Sequence, residues 1–168
     1  MKTVSFLSGT LMAIILFTSC KKGDDISSEN KQKADEFKAS VVAKKYQVKE
    51  YYADKPIDYD EQDEEVKAET DLFNYVSPWI KDDWNVFDVA SGRVPITQNE
   101  HKFAGNDDEV IMKNFAIDAD KDGVYFDFLN YQYQPLKYRL VEFTNEYFVV
   151  YADWHSGTKV FTKFIVIP

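Results

Sequence analysis

The chain has 168 residues, with 20 basic side chains against 29 acidic ones and a formal net charge of −9. That acidic surplus, with no clustered basic face, argues against a nucleic-acid binder, because holding a phosphate backbone takes concentrated Lys and Arg. A single cysteine, Cys20, leaves no intramolecular disulfide and no thiolate set for a structural zinc, so apolar packing must hold the fold together.

In chain order, Lys2 leads into an apolar stretch over residues 4–17 that only Ser5, Ser8, Gly9 and Thr10 interrupt. A bilayer core of roughly 30 Å takes about 20 apolar residues to span, so this stretch reads as the h-region of a cleavable secretory signal. Phe17-Thr18-Ser19-Cys20 follows and resembles the lipobox of bacterial lipoproteins, in which small residues precede the cysteine that becomes the acylated mature N-terminus. The resemblance implies a signal over residues 1–19, lipid on Cys20 and anchorage in the cell envelope, as an outer-membrane lipoprotein. Residues 1–19 hold one charged side chain, Lys2, so the mature chain would carry 19 basic against 29 acidic groups, a formal charge of −10. Such charge commonly serves solubility.

Residues 20–40 are predicted to form a polar, flexible tether, in which residues 21–33 carry one isolated apolar side chain, Ile26. Lys21-Lys22-Gly23-Asp24-Asp25 looks like the acidic signal that routes some lipoproteins to the outer surface, and reads equally as a charged linker. Residues 34–43 predict a turn of helix or a loose lead-in. The folded domain is then expected over residues 41–168, one domain by length.

Residues 41–52 alternate as a half-buried strand does, with Lys45, Gln47 and Lys49 on one face and Tyr46, Val48, Glu50 and Tyr52 on the other. Residues 54–67 read as an acidic loop. Thr70 caps a predicted short helix that Ser77-Pro78 should end. Further strands are predicted at 84–90, 93–98, 109–117, 123–129, 138–143, 148–152 and 159–166, separated by turn residues such as Ser91-Gly92, Thr144-Asn145-Glu146 and Ser156-Gly157. Short connections favour antiparallel neighbours. The fold class is therefore all-β: a small antiparallel barrel or sandwich of about eight strands, with a short helix after the first.

The opening strand Ala43-Lys44-Lys45-Tyr46-Gln47-Val48-Lys49-Glu50-Tyr51-Tyr52, the stretch from Asp71-Leu72-Phe73 through Lys81-Asp82-Asp83-Trp84-Asn85-Val86-Phe87-Asp88 to Ser91-Gly92, and the late Tyr138-Arg139-Leu140-Val141-Glu142-Phe143 together resemble the lipocalin-like domains of bacterial lipoproteins. The likeness covers most of residues 41–167. It implies a barrel closed at one end, an interior suited to a small apolar molecule, and no assigned catalysis.

The chemistry-bearing motifs are sparse. Asp118-Ala119-Asp120-Lys121-Asp122-Gly123 matches the first half of a calcium loop, but position 12 is Leu129 where a bidentate acid is needed, and an Asp/Gly-rich hairpin turn explains the segment without metal. His101 and His155 lack partners at ligand spacing. Ser156 stands in Trp154-His155-Ser156-Gly157 with no GxSxG elbow around it, and so reads as a turn residue. With 29 acids, any choice of a glycosidase pair would be arbitrary. No metal, cofactor or catalytic residue is assigned.

Two functional readings follow. In one, a non-catalytic barrel binds a small apolar or amphipathic molecule, with Tyr46, Val48, Glu50, Tyr52, Phe126, Phe128, Phe148 and Val150 as candidate lining residues. Glu50 would then orient a polar end, unless it lies at the rim or pairs with a base such as Arg139. In the other, the barrel is filled and a protein or glycan partner docks on loops such as 54–67 or 101–108. Thirteen Phe and eleven Tyr serve either, since aromatic residues also fill ordinary β cores. An interior cavity of about 300 Å³ or more would favour the first.

Overall fold

The computed structural model describes residues 26–58, 68–102, 108–130, 132–154 and 157–168. The predicted signal 1–19, Cys20, residues 21–25 of the predicted tether, 59–67 and 103–107 of the two loops, and His155 with Ser156 lie outside the described residues. Helix α1 (Ser28–Val41) comes first, then β1 (Lys45–Ile57), β2 (Glu69–Asp71), a 3₁₀ turn (Phe73–Tyr75) and helix α2 (Pro78–Asp82). There follow β3 (Trp84–Asn85), β4 (Arg93–Thr97), β5 (Glu109–Asp120), β6 (Gly123–Leu129), β7 (Pro135–Phe143), β8 (Tyr147–Asp153) and β9 (Lys159–Ile167).

All pairings are antiparallel. β3 to β9 form a meander in sequence order, and β1 pairs with both β3 and β9, which closes an eight-stranded barrel with β2 appended to the far half of β1. The all-β antiparallel barrel read from the alternation is therefore the fold. In a barrel of about eight strands, inward side chains either fill the interior or leave room for one small molecule.

The main helix precedes the first strand, and this corrects both the predicted helix order and the predicted tether. Ile26, Asn30, Ala34, Phe37 and Val41 recur at helical spacing, and Ala34, Phe37 and Val41 are buried in the barrel core. Ser27 caps the helix by accepting from the Asn30 N–H at 3.0 Å. The Asn30 amide then donates to the Asp120 carbonyl at 2.9 Å, which ties the helix to the β5–β6 hairpin. Phe37 packs on Phe143 and Phe148, with ring centroids 5.4 and 5.3 Å away. The contacted ends of β5, β7 and β8 all lie at one rim of the antiparallel barrel, and α1 covers that rim.

The segment predicted as a Thr70-capped helix divides differently. Thr70 lies in β2, the 3₁₀ turn ends at Tyr75, and Pro78 opens α2 where it was expected to close a helix. A proline at the first helical position loses no hydrogen bond and brings a pre-set φ. The predicted strand 84–90 shortens to Trp84–Asn85 because the Asp88 carboxylate accepts from the N–H groups of Ala90 and Ser91, both at 3.1 Å, and turns the chain.

Bulges bend three strands. In β1, Val48 lies opposite Phe164 and Glu50 opposite Lys163, so Lys49 is an extra residue. In β7, Val141 is the extra residue between Leu140 and Glu142. In β5, the chain between Lys113 and Ala116 slips while Asn114 adopts φ +57°. Each extra residue reverses which side chains face inward beyond it.

Candidate functional site

At the rim opposite α1, a partly enclosed cavity of about 270 Å³ opens into the barrel. Its walls are apolar: Val48 from β1, Val94 and Ile96 from β4, Met112 from β5, Phe126 and Phe128 from β6, and Tyr138 and Phe164 further round. Trp79 and Ile80 of α2 also line it, each half-buried. The volume sits just under the usual 300 Å³ floor for ligand pockets. An apolar cavity of about 150 Å³ takes up benzene, so this one has room for a molecule a little under twice that size.

The predicted lining residues fall into three groups. Val48, Phe126 and Phe128 line the cavity. Tyr46, Phe148 and Val150 point inward but belong to the packed layer shared with α1, where Phe148 contacts Phe37, Tyr46, Phe87 and Phe164. The Tyr46 hydroxyl donates to the Ser40 carbonyl at 3.4 Å, and burial pushes its pKa up to about 12. Glu50 and Tyr52 lie on the outer surface, against the strict alternation and, for Glu50, in keeping with the alternative of a basic partner, because the Lys49 bulge reverses the parity of β1. Glu50 pairs with Lys163 at 2.6 Å, and Tyr52 stacks on Phe161 with centroids 5.0 Å apart. Arg139, the partner considered for Glu50, instead grips Asp120 through Nη1 at 2.5 Å and Nη2 at 2.8 Å.

After the bulge, Tyr51 takes the inward position that the strict alternation gave to Glu50, and it lines the cavity. Strand alternation also gave no access to α2 or to Asp83, the residue that follows it. Asp83 is 2% exposed and forms part of the cavity wall. Its Oδ1 accepts from the Asn99 N–H at 3.3 Å, while its Oδ2 is buried with no hydrogen-bond partner among the described residues. Burial raises its pKa to about 6, the Asn99 N–H opposes that rise, and the neighbouring Asp82 charge adds to it. Asp82 itself accepts from the backbone N–H of His101 and contacts its Nδ1, both at 3.0 Å. Burial pushes Asp82 upward, but the interactions with His101 outweigh it and leave the carboxyl below its usual value.

Asn85, Asn130 and Thr162, with the polar tips of Tyr51, Trp79 and Tyr138, belong to the other lining residues, and no Lys, Arg or His is among those described. In the Asp-rich hairpin, Asp118 accepts from the Ala119 N–H at 2.8 Å and Asp120 is held by Arg139 and Lys137. Among the described residues no group of three or more His, Cys, Asp or Glu side chains is placed to hold a metal ion, and no helix is long and apolar enough to cross a membrane. Comparison with models of known protein families gives no match, and none of the curated proteins is significantly similar to the chain.

Proposed function

We propose that the chain is a cell-envelope lipoprotein, held on the outer membrane by lipid on Cys20, whose barrel binds a small apolar or amphipathic molecule without transforming it. The observation that carries the binding reading is the apolar cavity of about 270 Å³ at the rim that α1 leaves uncovered. A barrel interior filled by its own side chains needs no such space, and cavities of this kind cost stability through lost contacts. Support for the anchor is the run from Lys2 through residues 4–17 to Phe17-Thr18-Ser19-Cys20.

The filled-barrel reading, with a partner docking on the loops, draws on the same volume, which falls slightly short of typical ligand sites. Native mass spectrometry of the chain from its own host, with calorimetric titration of the purified chain by phenylbutanol, separates the two. Binding predicts a co-purifying small molecule or saturable heat, abolished when Ile96→Trp fills the cavity. No adduct and no heat in the parent chain would leave the filled barrel standing.

A further inference from the structure

Asp83 is an unusual component of an apolar wall. A carboxylate removed from water is costly unless its oxygens are paired, and among the described residues only one oxygen of Asp83 has a partner, a single N–H at 3.3 Å. The adjacent Asp82 adds negative charge; its Oδ1 is buried with no hydrogen-bond partner among the described residues, while its Oδ2 is held by His101. No Lys, Arg or His among the described lining residues compensates Asp83 from within the cavity. A buried carboxylate oxygen in this condition calls for a donor, from solvent or from a ligand.

We propose that the cavity selects a hydrophobic amine, whose apolar body lies against Phe128, Tyr138 and Ile96 and whose ammonium donates to Asp83. The inference rests on the binding reading above and names the ligand class for that same cavity. Charge decides the class. A fatty acid or other apolar anion would bring a second negative charge toward Asp83 with no base to receive it, whereas an ammonium supplies the missing donor as a charge-assisted bond. Asn85 and Thr162 are hydrogen-bonding side chains in the same wall for the remaining ammonium protons. Volume sets the size: room for a little under two benzene equivalents fits one ring with a short aliphatic chain.

Phenylbutylamine, phenylbutanol and phenylbutyrate share one body and differ in the head group. Calorimetric titration of the purified full-length chain should give affinity in the order amine, alcohol, carboxylate, with the amine at least about tenfold tighter than the carboxylate. Asp83→Asn should bring the amine and the alcohol within about twofold of each other while the alcohol still binds. Ile96→Trp should abolish binding of all three. Alcohol binding in the parent that equals amine binding, or an amine advantage that survives Asp83→Asn, would overturn the role of Asp83 and leave the cavity as an apolar site. Absence of binding by all three in the parent would overturn the binding reading and the amine with it. A circular dichroism melt of Asp83→Asn confirms that the variant compared is folded.

Discussion

Phe37 of α1 meets Phe148 of β8 edge to face, with ring centroids 5.3 Å apart, and both rings are 1% exposed. The helix is thus part of the same core as the strands. Deleting a buried Phe removes its transfer free energy and leaves a cavity, so Phe37→Ala is expected to lower stability by roughly 3–5 kcal/mol. Removing residues 28–41 should go further and abolish the cooperative thermal transition, since it also uncovers Tyr46 and Phe148. An unfolding midpoint in urea that Phe37→Ala leaves unchanged would contradict the shared core.

Glu50 and Lys163 are predicted to matter little for ligand. Their ion pair spans β1 and β9 on the outer surface, with side chains 50% and 27% exposed, and exposed pairs contribute about 0–1 kcal/mol. Glu50→Gln should leave phenylbutanol binding unchanged, while Phe128→Ala alters it. A Glu50→Gln variant that loses binding would mean that the carboxylate reaches the interior.

The strand set was legible because alternation and turn chemistry are local signals, and most predicted strands overlap observed ones; those signals fit a barrel or a sandwich alike, because closure rests on the non-local pairing of β1 with β9. The faces of β1 were legible only as far as Val48. One extra residue at Lys49 exchanges inside and outside, and no propensity marks that position, so strict alternation puts Glu50 on the face that Tyr51 occupies. Helix α1 was obscured by composition: its surface is charged, and its buried stripe consists of few apolar residues, Ala34, Phe37 and Val41. Their helical spacing and the Ser27 cap were in the sequence, but strong overall polarity masked them. Asp83 could not have been singled out among 29 acids, because its significance comes from burial beside an apolar cavity, a tertiary property.

For the anchor, the outcome expected of Cys20→Ser is an unprocessed precursor or a soluble form that no longer takes up labelled fatty acid. The parent protein should remain in the membrane fraction in high salt, since two or three acyl chains hold firmly where one binds reversibly. Unchanged size and labelling in Cys20→Ser would remove the lipoprotein reading without touching the barrel.

Asp120 should govern part of the acid limb. The hydrogen bonds from Arg139 hold its carboxyl well below the ordinary 3.8, against the opposing effect of burial. A depressed folded-state pKa lends stability that is present above the unfolded value and is lost as pH falls through and below it. Denaturation followed from pH 6 down to pH 2 should therefore show a steeper loss in the parent chain than in Arg139→Gln. The variant should be weaker by about 1–2 kcal/mol at neutral pH, less than for a fully buried pair because the Asp120 side chain is 29% exposed.

Asp83 should act with the opposite sign. Its pKa rises on folding from 3.8 to about 6, so the folded chain takes up its proton more readily than the unfolded chain between those values. The resulting destabilisation is complete above about pH 6 and is relieved as pH falls toward 4. A shift of that size corresponds to on the order of 3 kcal/mol at neutral pH. Asp83→Asn keeps the oxygen that accepts from Asn99 and removes the charge, and it is expected to stabilise the ligand-free chain by roughly 1–3 kcal/mol at pH 7, with the advantage gone by pH 4. Phenylbutylamine should reverse the ranking at pH 7, raising the melting temperature of the parent above that of Asp83→Asn by mass action, because it pairs the carboxylate that the variant lacks. Parallel melts at pH 4, 5, 6 and 7, with and without the amine, read both effects. A pH-independent difference between the two chains would show that Asp83 already has its charge satisfied in the folded state and has none left for a ligand.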